Sequence, residues 1–389
     1  MERYLTKTIS YDALADVKMA LISGPRQVGK TTLARTLLLD QQRNYFNWDD
    51  DDFKVAWSRH PLLALANRGP GPVVLDEIHK DRRWKSRLKG VYDKSGADLP
   101  ILVTGSAKLD IFRKGGDSLM GRYIPYRLAP FSVAESGEPI APDEAFTRTK
   151  VNVPWADLTK LSGFPEPLFK GSEAKAKRWS RLRLERLIHE DIRDIRAVND
   201  LQALTVLMQL LPKQVGSLLS INSLRQDVGV AYGTAYAWVN ALELLYHHFV
   251  VRPYAGKLSR ALKAEPKIYL FDTLPLQDNP GALRENLLAL HLRKACQFWT
   301  DSAAGEFDLR FIRNKEKQEV DFCVLRDGKV WLLVECKSGA KTPTPALIKF
   351  TEALKPTFSF QLVSQPVDSA YAAYGIRVCS YERFCAGLV

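Results

Sequence analysis

Residues 21–38 read LISGPRQVGKTTLARTLL, and this stretch decides the fold. Gly24, Pro25, Arg26, Gln27, Val28, Gly29, Lys30 and Thr31 spell GxxxxGK[ST], with Thr32 directly behind. The apolar run MALIS (19–23) leads into the motif, and a helical pattern carried by Leu33 and Leu37 follows it. A glycine-rich turn between a buried strand and a helix N-terminus aims successive backbone N–H groups at one point, where the helix dipole also favours negative charge. The motif predicts a phosphate cradle for ATP, with Lys30 reaching the terminal phosphates and the Thr31 hydroxyl serving as a Mg²⁺ ligand.

Working outward, PVVLDE (72–77) and ILVTGS (101–106) are two further apolar runs, and helical patterns alternate with all three from Lys18 to about Val133. Strands of a parallel sheet covered by helices on both faces read this way, so the first part of the chain is α/β. The second run ends in Asp76 and Glu77. Asp76 is expected to hold Mg²⁺ through water and Glu77 to polarise the attacking water, while His79 reads as a loop histidine. The third run ends in Thr104 and Ser106, where a hydroxyl can touch the γ-phosphate or simply satisfy a turn. Arg122 follows in a loop. It reads either as an arginine acting in trans on a neighbour's γ-phosphate or as a surface charge, with Arg26 and Arg127 as rivals. The catalytic candidates are therefore Lys30, Glu77, Ser106 and Arg122.

The chain has 389 residues, enough for two to three domains. Its 46% apolar and 26% charged residues exclude a disordered or collagen-like chain. The net charge of +12 and a pI near 9.3 predict an encounter with phosphates or an anionic surface. Cys296, Cys323, Cys336, Cys379 and Cys385 form no CxxC pair and have no histidine cluster around them, which argues against disulfides and zinc and for a reducing cytoplasm. The opening MERYLTKTISYDALADVKMALIS lacks a signal-peptide core, and no stretch approaches the ~20 apolar residues of a membrane span.

From about Asp143 to Arg196 the pattern turns helical, with Leu184, Ile188, Ile192 and Ile195 on one face. Lys175, Lys177, Arg178, Arg181, Arg183 and Arg186 form a basic run there, either a solvated face or a stripe that tracks DNA. Two amphipathic helices and a third, stronger one follow. Ala235, Trp238, Val239, Leu242, Leu245, Tyr246 and Phe249 share a face of the third, which leaves Thr234, Tyr236 and Asn240 outside. FVVRPY, KLSRALKAEPK and IYLFD then suggest a hairpin, and three helices followed by a hairpin is the winged-helix order. Arg252, Lys257, Arg260, Lys263 and Lys267 against a lone Glu265 suit the backbone phosphates of DNA, with intersubunit packing as the competing use.

In the last part, Glu285 and Asn286 lie near the start of a helix, and Val320, Phe322 and Val324 alternate with Asp321 and Cys323 along a strand. An Asp327-Gly328 turn leads to a strand ending Val334-Glu335-Cys336-Lys337, which puts Glu335 and Lys337 on one face beside Asp321. This helix–hairpin unit looks like the PD-(D/E)xK nuclease superfamily. The resemblance implies that Glu285, Asp321 and Glu335 hold Mg²⁺ or Mn²⁺ and that Lys337 steadies the attacking water. The alternative is a degenerate domain that grips DNA or a partner.

GPRQVGKTT (24–32), VVLDEIHK (73–80) with Trp84 after it, VTGSAKLD (103–110), LMGRYIPYRLAPFSVAE (119–135) and SGFPEP (162–167) together resemble a prokaryotic AAA-type ATPase family whose C-terminal part is a domain of unknown function. The resemblance spans essentially the whole chain and departs at His79, where the family often has glutamine. It implies ATP binding and hydrolysis, a homo-oligomeric ring of six by analogy, and a DNA-related C-terminal half. The expected organisation is an AAA-like P-loop ATPase core (1–140), a helical lid (141–200), a winged helix (201–275) and a restriction-endonuclease-like α/β domain (276–389). The leading function is an ATPase that binds, translocates on or remodels duplex or branched DNA. A nucleotide-gated switch in defence or signalling, and a nuclease gated by the ATPase, are the alternatives.

Overall fold

Five short strands build the first sheet: β1 (Met19–Ser23), β2 (Tyr45–Asn47), β3 (Val73–Asp76), β4 (Ile101–Thr104) and β5 (Tyr123–Arg127). They run parallel in the order β2-β3-β4-β1-β5. β1, β3 and β4 are buried along their whole length, as continuous apolar runs require at the centre of such a sheet. β2 and β5 were not anticipated from the sequence. One is a half-buried tripeptide and the other carries Pro125, which is compatible with an edge strand. Met19, Leu21, Leu75 and Val103 from the sheet pack with Phe53, Trp57, Trp84 and Leu88 in one core. All five strands point the same way, so the C-terminal ends of β1, β3 and β4 lie at one edge of the sheet, where ligands of open α/β sheets bind.

The computed structural model describes residues 1–95, 98–105, 119–192, 200–255, 264–339 and 342–389. They form two compact units: 1–129 with 136–138 and 244–246, and 130–135 with 139–243 and 247–389. The first holds the parallel sheet.

The second unit holds an eight-stranded mixed sheet made of β6 (His248–Pro253), β7 (Lys267–Leu270), β8 (Phe307–Arg313), β9 (Glu319–Arg326), β10 (Lys329–Cys336), β11 (Phe358–Val363), β12 (Asp368–Tyr371) and β13 (Ile376–Ser380). Their order is β12-β13-β11-β10-β9-β8-β6-β7. β8, β9 and β10 form an antiparallel meander, and β11 continues it parallel to β10. The β9–β10 turn uses Asp327 (φ 52°) and Gly328 (φ 78°), the left-handed pair that a two-residue hairpin turn demands.

The helix Pro280–Asp301 begins with proline in its first turn, and the Asn279 side chain caps it by accepting from the Ala282 N–H. Asn286, fully buried on this helix, accepts from the Leu270 N–H at 2.6 Å and donates to the Leu270 carbonyl at 2.8 Å. That amide acts as a surrogate strand and fastens the helix to β7. The helices Leu201–Leu210, Ile221–Val228 and Tyr232–Leu244 precede the β6–β7 hairpin, and β6 also pairs with β8. Strands on both sides of residue 275 therefore share one sheet.

The helical reading from Asp143 is late in starting. A short 3₁₀ turn, Pro142–Glu144, is followed by irregular chain until the helix Trp155–Leu161. Phe146 (φ 66°) inserts there among Phe360 and Phe384, at ring separations of 4.7 and 4.9 Å, and this aromatic contact outweighs helical continuity.

Candidate functional site

The loop between β1 and the helix Lys30–Thr36 has left-handed backbone at Gln27 (φ 62°) and Gly29 (φ 99°), and Gly24 stands at φ 143°. Such alternation turns backbone N–H groups inward to make an anion nest. Gly24 is required for a second reason, because a Cβ there would lie 2.3 Å from the Leu128 carbonyl oxygen. Arg3, missed in the sequence reading, braces the loop from behind. Its guanidinium donates to the Val28 carbonyl at 3.0 Å and the Ala129 carbonyl at 2.5 Å. The buried Lys30 donates Nζ to the carbonyls of Gly24 (3.0 Å) and Pro25 (2.7 Å), so its charge sits on the loop rather than in apolar packing.

Asp76, buried at the end of β3, collects three hydroxyl donors. Its Oδ2 accepts from Thr31 Oγ1 at 2.8 Å and from Tyr45 at 2.7 Å, and its Oδ1 accepts from Thr104. Thr104 thus faces the carboxylate rather than a phosphate. Tyr45, held beneath the Arg35 guanidinium at 3.9 Å, lies on the strand the sequence reading overlooked. Thr31 and Asp76 offer adjoining oxygens at the mouth of the loop. Mg²⁺ is usually bound by one or two protein oxygens together with substrate phosphates and water, so this pair fits it.

Glu77 adopts the left-handed region (φ 57°) where β3 ends. Lys80 Nζ and His79 Nε2 each approach its carboxylate to 3.7 Å. Burial raises its pKa above the ordinary glutamate value, against the pull of Lys80 and Lys30. A carboxylate so placed is suited to accept a proton. Arg122 is brought to Asp93, with its Nε 2.7 Å and a terminal nitrogen 3.3 Å from the two carboxylate oxygens. Ser106 lies outside the described residues.

In the second unit, the helix Glu173–Arg186 exposes Lys175, Lys177, Arg178, Arg181 and Arg186. Arg183 is buried instead, with its guanidinium 4.6 Å from the centre of the Phe164 ring. On the helix Tyr232–Leu244, Tyr236 is exposed and Thr234 and Asn240 are half-buried. Tyr232 and Tyr236 stack with nearly parallel rings, 8° apart with ring centres at 6.3 Å. They border a cleft of about 400 Å³ that Asn222, Asn240 and Arg252 also line. Lys257, Arg260 and Lys263 lie outside the described residues.

Lys267 does not belong to a phosphate-facing wing. It is 2% exposed, and its Nζ lies 2.6 Å from Glu319, 3.3 Å from Glu285 and 3.6 Å from Asp321. This cluster involves residues of the expected metal centre. Glu285 and Asp321, two of the expected ligands, face the Lys267 ammonium, and among the described residues no group of three or more His, Cys, Asp or Glu that could hold a metal ion is found. The Asp321 Oδ2 accepts from the Cys336 N–H at 2.8 Å, and Glu335 pairs with Lys337 at 2.5 Å. Burial and the Asp321 charge push the Glu335 carboxyl up to about 7.

Residues 16–137 match a family described as an AAA domain. Residues 155–276 and 280–384 match two domains of unknown function, DUF8612 and DUF4143. Uncharacterized protein Rv2008c of Mycobacterium tuberculosis is 24% identical over 318 residues, which cover 76% of this chain and 68% of that protein. Uncharacterized protein MJ1637 of Methanocaldococcus jannaschii is 24% identical over 390 residues, covering 87% and 79%. Among solved structures, the Aeropyrum pernix ORC1 protein in complex with DNA is similar at a TM-score of 0.34 and 15% identity, covering 74% of this chain and 93% of that one. Thermotoga maritima RuvB is similar at 0.33 and 17%, covering 67% and 94%. No helix among the described residues is long and apolar enough to cross a membrane.

Proposed function

We propose that this chain hydrolyses ATP and couples that hydrolysis to binding or remodelling DNA. The observation that carries the reading is the meeting of Thr31 and Asp76 at the mouth of the glycine loop, with Lys30 inside it and Glu77 at the next position along. On this reading the loop N–H groups hold the triphosphate, and Lys30 exchanges the carbonyls of Gly24 and Pro25 for phosphate oxygens. Mg²⁺, held by Thr31 and Asp76, would supply charge neutralisation between the terminal phosphates. Glu77 orients the attacking water and takes its proton. Tyr45 and Thr104 hold the Asp76 carboxylate in place by donating their hydroxyls to it.

The DNA part rests on the net charge of +12, on the exposed basic side of Glu173–Arg186, and on the three-helix-then-hairpin order, which we read as a winged helix presenting Tyr236 and Asn240. Cation-rich faces bind backbone phosphates without reading sequence. A ring of six copies, with Arg122 released from Asp93 to reach a neighbour's γ-phosphate, is the assembly this reading predicts.

The test is ATP turnover by the purified protein, alone and with single-stranded, double-stranded or forked DNA. Magnesium-dependent turnover that DNA stimulates and Lys30→Ala abolishes is expected. No calorimetric heat on injecting ATP overturns the nucleotide reading, and turnover indifferent to every DNA overturns the coupling.

A further inference from the structure

The carboxylates in the second unit look like a nuclease centre in sequence and are arranged otherwise in space. Glu285 from the helix Pro280–Asp301 and Glu319 and Asp321 from β9 converge on one ammonium, that of Lys267 on β7. Each also has a second protein partner. Tyr269 donates to the Glu285 Oε1 at 2.7 Å, Arg313 pairs with Glu319 at 2.9 Å, and the Cys336 N–H occupies the Asp321 Oδ2 at 2.8 Å. A Cβ on Gly216 would come within 2.9 Å of the other Glu285 oxygen, so the backbone closes that side.

The Lys267 side chain has no room to leave. It is almost fully buried, its Nζ lies 5.5 Å from the centre of the Phe311 ring, and β7 is held by β6 on one side and by Asn286 of the helix on the other. Magnesium and manganese need several oxygens in direct contact, about 2.0–2.1 Å away for magnesium. Here Glu285 Oε1 and Asp321 Oδ2 already receive protein donors and Glu319 faces two cations, and a second cation beside the ammonium would meet like-charge repulsion.

We infer that Lys267 is the resident cation of this cluster, so that the domain takes up no divalent ion there and cuts no phosphodiester. The carboxylates serve instead as an ionic tie between the β6–β7 hairpin, the helix and the central sheet. This inference does not rest on the ATP reading, and either can fail without the other.

Removing the ammonium should open the site. The experiment follows free Mn²⁺ by electron paramagnetic resonance with full-length protein carrying Thr31→Ala, which removes the P-loop hydroxyl, in the absence of nucleotide. The protein with Lys267 is expected to leave Mn²⁺ free, and Lys267→Met to bind one equivalent that a further Asp321→Asn change removes. Two results overturn the inference: Mn²⁺ binding by the Lys267 protein that Asp321→Asn abolishes, or a folded Lys267→Met protein that binds none. Lys267→Gln replaces the methionine variant if circular dichroism shows that the latter is unfolded. The Lys267-containing arm also decides by itself through plasmid nicking, since Mn²⁺-dependent nicking lost in Asp321→Asn overturns the inference as well.

Discussion

Replacing Glu77 by glutamine should separate ATP binding from ATP hydrolysis. Glutamine keeps the shape of the side chain and meets the same backbone demand at φ 57°, so the fold should not change. What disappears is the proton acceptor. A positioned general base contributes about 10²–10⁴ in rate, or roughly 3–5 kcal/mol of barrier. Burial has already raised the carboxyl above its ordinary value, and Lys80 at 3.7 Å works the other way. Removing a buried negative charge beside the phosphate loop should leave ATP binding as tight or tighter. Phosphate release under single-turnover conditions would report the first effect and a fluorescent ATP analogue the second. The parent's turnover should also fall on acidification, because the base must be ionised, and this limb should move to higher pH in Lys80→Met. Glu77→Gln turnover within twofold of the parent would refute the assignment. Loss of ATP binding together with turnover would show instead that Glu77 only shapes the loop.

Two further outcomes follow from the packing. Gly24→Ala places a methyl 2.3 Å from the Leu128 carbonyl oxygen at a φ of 143°, so overpacking and backbone strain should together cost roughly 2–4 kcal/mol; an unchanged melting temperature and ATP affinity would contradict this. Acid should weaken the second unit, because burial lowers the His291 imidazole to about 4 and that of His247 to about 3, both below the unfolded value. Above about pH 6.5 this has no effect, and as pH falls toward the folded values the unfolded chain takes up protons that the native one refuses. At pH 5 His291 alone should remove about 2 kcal/mol, and His291→Gln should flatten the pH dependence of urea unfolding between pH 7 and pH 5; the same slope in parent and variant would count against it.

The candidate nucleotide site was legible because its parts are local. A strand, a glycine loop and a helix N-terminus follow one another within 18 residues, and the strand end at Asp76-Glu77 announces itself by two acids closing an apolar run. Arg3 and Tyr45 gave no such signal. Arg3 acts by reaching the carbonyls of Val28 and Ala129, and Tyr45 sits on a three-residue edge strand with no periodicity to detect. Lys267 misled for a related reason. In a stretch with five cations it reads as one more wing charge, because a strand alone cannot say which face its neighbours will bury.

The order of residues by itself determined the phosphate cradle, its two acids, the parallel α/β core around them and the Asp-Gly turn between β9 and β10, all of which depend on neighbours a few positions apart. Only the tertiary structure decided what the distant charges do: which cation Asp321 meets, that Arg122 lies on Asp93, and that the β6–β7 hairpin joins the C-terminal sheet. A charge's partner depends on distance in space and on burial, and pairing strands that are far apart in the chain sets both at once.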